Sequence, residues 1–93
     1  MGNKEAFYVK LKESLDNTTK FPTAYLYKFI VPTSGSQLEE VEELFKEKLA
    51  KISSKESKTG KYVSVSINVK LFSANEVISY YRKAEKIEGI ISL

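Results

Sequence analysis

The amino-acid sequence predicts a two-layer α+β sandwich, with two helices over one face of a four-stranded antiparallel sheet. Three observations predict it. Val63, Val65, Ile67, Val69 and Leu71 alternate with Tyr62, Ser64, Ser66, Asn68 and Lys70, the period-two pattern of a half-buried strand. Two Ser-x-x-Glu boxes, Ser36–Glu39 and Ser73–Glu76, open segments whose apolar residues recur at helical spacing. After a leading helix, the order of signals is β-α-β-β-α-β. With both crossovers right-handed, this order closes into the ferredoxin-like arrangement, strand order 4-1-3-2.

The first element is a helix over residues 4–16, with Phe7, Leu11 and Leu15 in a narrow stripe that suits packing on the edge of the domain. Asp16-Asn17-Thr18-Thr19 ends it. Residues 1–19 therefore form a helix and loop ahead of a single domain at 20–93. Phe21-Pro22-Thr23 leads into a strand over 24–31, rich in aromatic and branched residues. Pro22 and Pro32 stand at its ends, where neither interrupts a ladder. Apolar residues of both parities make it a central strand. Tyr25, Tyr27 and Phe29 point to the helices, while Leu26, Lys28 and Ile30 point away.

The second helix starts at Ser36 and runs to Ile52, with Leu38, Val41, Leu44, Phe45, Leu49 and Ile52 on one face. Glu39, Glu40, Glu42 and Glu43 crowd its start and Lys46, Lys48 and Lys51 its end, which compensates the helix dipole. That order explains the glutamates without a metal. Residues 53–58 form a short, charged edge strand, turned at Thr59-Gly60, where Lys55 and Lys58 discourage pairing with another chain. The strand at 62–71 follows. The last helix begins at Ser73, carries Val77, Ile78, Tyr81, Ala84 and Ile87, and stops at Gly89. Ile90–Leu93 is a final short strand.

Composition removes several chemistries. The 93 residues include no Cys and no His, so thiol nucleophiles, thiolate or imidazole metal sites and the usual neutral-pH base are absent. Asp16 is the one Asp. The expectation is a protein that is not an enzyme and uses no cofactor or metal. The net charge is +3, and Lys55, Lys58, Lys61 and Lys70 against Glu56 account for all of it. DNA-binding domains carry a denser basic stripe. RNA-recognition sheets need two aromatics, two residues apart, on the open face, and here Tyr62 is followed by Ser64. Nucleic acid is not the expected partner. No apolar run approaches the ~18 residues that span a bilayer. The N-terminus lacks a secretory core, and Ala6 stands where myristoylation needs Ser or Thr. A soluble cytoplasmic protein without membrane contact is expected.

The candidate site is the sheet face that no helix covers. Lys28, Tyr62, Ser64, Ser66 and Asn68 are its ligand-binding candidates: one ammonium with hydroxyls and an amide suits a small anionic or polar metabolite. A Lys there also lies as a half-exposed side chain with its stem over its neighbours. The alternative is a protein–protein contact or homodimer, through Leu26, Ile30 and Tyr62 or through Ile90-Ile91. Gly35-Ser36 could hold an anion at the helix start, although the capping box already satisfies those N–H groups.

Phe21-Pro22-Thr23 followed by Tyr27-Lys28, the segment Ser57-Lys58-Thr59-Gly60-Lys61-Tyr62-Val63-Ser64-Val65-Ser66-Ile67, and the ending Lys86-Ile87 resemble the YbeD-like family of small bacterial proteins. The resemblance covers about residues 20–93. It departs at Val31-Pro32, where members often carry Gly, and at Thr59, which separates Lys58 from Gly60. It implies a ferredoxin-like fold similar to the ACT-type regulatory domains of amino-acid enzymes. It implies no reaction, and it places Lys28 within a family motif.

Overall fold

The computed structural model describes residues 2–93, with side chains from Lys4 onward. Its elements are α1 (Gly2–Thr18), β1 (Thr23–Pro32), α2 (Gln37–Leu44), β2 (Lys51–Glu56), β3 (Tyr62–Leu71), α3 (Ala74–Ala84) and β4 (Ile91–Ser92). The four strands form one antiparallel sheet in the order β2-β3-β1-β4, as the ferredoxin-like reading requires. β1 pairs with β3 along its whole length, from Thr23 opposite Leu71 to Pro32 opposite Tyr62. Two ten-residue strands therefore make the centre of the molecule.

One face of that centre is the core. Val63, Val65, Ile67, Val69 and Leu71 of β3 and Tyr27, Phe29 and Val31 of β1 are buried beneath the helices. Val41 of α2 and Phe45 just past its end cover them, with Val77, Tyr80 and Ala84 from α3. Aromatic rings knit this layer: Phe45 stacks on Tyr80 with centroids 4.6 Å apart, and Tyr27 meets Phe45 at 5.3 Å. Tyr27 places its hydroxyl where it donates to the Val77 carbonyl at 2.8 Å, so its one polar atom is satisfied.

Three local expectations are corrected. α2 ends at Leu44, not Ile52. The Phe45 and Lys46 N–H groups close on the carbonyls three residues back, a tightening that ends the helix. Leu49 is fully exposed. Lys51 and Ile52 join β2, where Ile52 sits opposite Ile67 and half-buries its side chain. For this branched residue, pairing in the sheet outweighs another helical turn.

The Ser36 capping box does not form. Ser36 has φ −97° and ψ 15°, outside the extended region that aims a cap hydroxyl at the first turn, and its side chain caps nothing. Ser73 is extended, at φ −162° and ψ 161°, and its Oγ accepts from the Glu76 N–H at 3.1 Å. The reciprocal bond falls one residue earlier: Glu76 Oε1 accepts from the Phe72 N–H at 2.8 Å.

On α1 Tyr8 and Leu15 are buried and Leu11 is half-buried, while Phe7 is exposed. The helix turns Tyr8 toward α3, where its hydroxyl donates to Glu85 Oε2 at 2.5 Å and the Arg82 guanidinium lies 4.5 Å from its ring centre. Both Arg82 terminal nitrogens donate to Glu5, at 2.8 and 2.9 Å. These contacts fix α1 alongside α3, in the helical layer. Among the described residues, no helix covers the other sheet face. Among the described residues no helix is long and apolar enough to cross a membrane.

Candidate functional site

Strand parity decides what the uncovered face displays. The register aligns three rows across it: Lys51, Asn68 and Leu26; Ser53, Ser66 and Lys28; Lys55, Ser64, Ile30 and Ile91. Tyr62 stands beyond the third row, opposite Pro32. All five candidates from the sequence therefore share one surface. Lys28, Tyr62, Ser64 and Asn68 are exposed, and Ser66 is half-buried between its neighbours.

They are not one pocket. A groove of about 560 Å³ lies at the Tyr62 end, lined by the apolar Ile30, Ile91 and Tyr62 and by Lys55, Lys58, Ser57, Ser64 and one acid, Glu56. Ser66 and Asn68 line a separate depression of about 180 Å³ with Leu26, Lys51 and Ser53. Lys28 lines neither and stands between the two. Lys55, Lys58 and Ile91 are the partners that sequence reasoning assigned elsewhere, to edge protection and to the last strand. Their signal is the register, which puts Lys55 opposite Ser64 and Ile91 opposite Ile30.

The groove's rim is held in place by its turn. Gly60 has φ 72°, a left-handed conformation that favours glycine, and its N–H donates to the Ser57 carbonyl at 3.0 Å. The Ser57 N–H donates to the Tyr62 carbonyl at 2.8 Å, and Ser57 Oγ accepts from the Tyr62 N–H at 3.2 Å. Thr33 ties the turn to the end of β1: its Oγ1 donates to the Gly60 carbonyl at 2.6 Å and its N–H to the Lys61 carbonyl at 3.0 Å. Lys58 is thus carried by a braced turn.

Charge separates the two sides of the sheet. The strands carry Lys28, Lys51, Lys55 and Lys70 but one acid, Glu56. Among the described residues, none of those lysines, nor Lys58 or Lys61, is in an ion pair. Every ion pair among the described residues joins residues of the helical side. An unpaired ammonium beside an apolar floor can accept an anion without first breaking a salt bridge.

The strongly perturbed titratable groups lie on the other side. Burial, reinforced by neighbouring tyrosines, pushes the Tyr27 phenol far above its ordinary range. The same holds for Tyr81, whose hydroxyl pairs with that of Tyr25 at 2.9 Å. Burial and then the Glu85 carboxylate push Tyr8 up to about 12. All three stay neutral at physiological pH, and none lines the groove.

The family model for proteins of unknown function called DUF493 matches residues 16–93. No curated protein matches the chain. The solution structure of protein HP0495 from H. pylori is similar, with a TM-score of 0.65 and 22% sequence identity, covering 82% of this chain and 86% of that one. At that identity the likeness shows the fold.

Proposed function

The chain belongs to the DUF493 family of proteins of unknown function, and we propose that it is a non-catalytic cytoplasmic module that binds a small anionic metabolite on its open sheet face. The observation that carries this reading is the apolar groove at the Tyr62 end, with two unpaired lysines, Lys55 and Lys58, on its rim. A ligand that fits has an apolar body over Ile30, Ile91 and Tyr62. Its carboxylate or phosphate meets the ammonium groups, and Ser64 offers a hydroxyl. Lys28, in the next row, contributes field rather than contact, and Ser66 and Asn68 accept a longer ligand that reaches the second depression. The lack of His and Cys, and the placement of the displaced tyrosines under the helices, support binding without reaction. A role in regulation, of the kind ACT-type domains perform, follows from a module that binds and does not transform.

Thermal-shift screening of amino acids, nucleotides and organic acids tests the reading. A ligand that binds only the folded state raises the melting temperature with its concentration. The rise is expected to vanish in Lys55→Ala/Lys58→Ala and to shrink in Lys28→Ala. A rise that is the same in all these variants places the ligand elsewhere and overturns the assignment.

A further inference from the structure

The sheet has two edges, and they are built differently. β2 presents Lys-Ile-Ser-Ser-Lys-Glu, with both lysines and every residue but Ile52 exposed. Charges of this kind keep foreign strands away. The opposite edge is shared. β4 pairs with Phe29 and Ile30, and the Leu93 N–H donates to the Lys28 carbonyl at 2.9 Å. Below that point β1 runs on as Thr23-Ala24-Tyr25-Leu26-Tyr27, paired with β3 on its inner side and, among the described residues, with no strand on its outer side.

The backbone parity of this stretch is fixed. The Thr33 N–H bonds toward β3 and the Lys28 carbonyl toward β4, so even-numbered residues of β1 direct both backbone groups away from β3. The N–H and C=O of Ala24 and Leu26 therefore point outward, and no hydrogen bond within the protein reaches them among the described residues. Both residues are exposed. The stretch is aromatic, β-prone and uncharged, which makes it a template for another strand. Leu26 is an exposed apolar side chain on this stretch, and where the edge passes to β4 the exposed Phe7 and Leu93 line a cavity of about 570 Å³ with Phe29.

We infer that this edge pairs with the same edge of a second copy, β1 antiparallel to β1, in a two-fold register centred on Tyr25. That register sets Ala24 opposite the second copy's Leu26 and Leu26 opposite its Ala24, and so satisfies the outward N–H and C=O groups of both residues on both chains. It is bounded on one side by Pro22, which has no N–H to donate, and on the other by Lys28, whose carbonyl is taken by Leu93. No like charges face each other within it. The product is one continuous eight-stranded sheet whose two open faces lie on the same side. The inference does not rest on the metabolite reading, since the groove that carries that reading lies at the Tyr62 end of the sheet and Leu26 lines only the second depression.

Sedimentation velocity over a concentration series tests it, with circular dichroism as the check on folding. The wild-type chain is expected to reach twice its 10.6 kDa mass as concentration rises. Leu26→Pro deletes an outward N–H and spares the β1–β3 ladder, so it is expected to stay monomeric. Two charge variants read the register directly. Ala24→Lys/Leu26→Lys puts lysine opposite lysine and is expected to be monomeric, whereas Ala24→Glu/Leu26→Lys makes two complementary pairs and restores the dimer. A wild-type chain that is monomeric at every concentration overturns the inference. So does a dimer that all three variants leave intact.

Discussion

The two faces of β3 come from one run of ten residues, yet they do different things. Its odd residues are buried against Phe45, Val77 and Tyr80, and its even residues form an uncovered surface of hydroxyls, amide, ring and ammonium. The helical face supplies the apolar burial that holds the domain together. The open face contributes little to that burial and is free to carry recognition. Substitutions should therefore separate cleanly: stability answers to one parity and binding to the other.

The largest effect is expected on the buried side. Ile67→Ala removes a fully buried side chain between the central strands and the helices, and about 2–5 kcal/mol of stability should go with it. Denaturant unfolding measures this. Ser66→Ala, the next residue on the other face, should change stability by no more than about 0.5 kcal/mol. Equal losses at the two positions would break the distinction between faces.

A smaller effect compares the two serine caps. Ser73→Ala should cost about 1 kcal/mol, because the Glu76 N–H loses its acceptor. Ser36→Ala should cost almost nothing, since that hydroxyl caps no N–H. The same unfolding experiment reads both.

The smallest effect concerns pH. Partial burial raises the Glu76 carboxyl, but the Lys48 ammonium at 2.7 Å and the Phe72 N–H outweigh it and hold the group below its ordinary value. A depressed folded-state value stabilises the fold above the unfolded carboxylate range, near about 4.3. That stabilisation is lost as pH falls through the folded value. In acid titrations of stability, Glu76→Gln should therefore lose most against wild type at neutral pH, with the gap closing toward low pH. A gap of constant size would contradict the role of the ion pair.

Much of this was legible in the sequence. The alternation at 62–71 settled both the strand and its faces, and the order of elements led to the sheet topology. The Phe21–Lys28 and Ser57–Ile67 segments pointed to the family that matches residues 16–93. What escaped depended on distant partners. Leu49 and Ile52 continue the helical period of α2, and pairing with Ile67 redirects the chain. Phe7 and Tyr8 are adjacent apolar residues, and Glu85 and Arg82, far along the chain, decide which one turns inward. The five candidate residues were placed on one face by parity. Their division between two depressions, and the company of Lys55, Lys58 and Ile91, arise from cross-strand register.

Backbone amide NMR during a titration with phenylphosphate, an anion carrying an apolar ring, tests the open-face claim most directly. The account predicts shifts confined to Ile30, Lys55 to Lys58, Tyr62 to Ser64 and Ile91, and their loss in Lys55→Ala/Lys58→Ala. Shifts centred instead on Tyr8 and Tyr81 in the helical layer, or groove shifts that survive the double substitution, would contradict it.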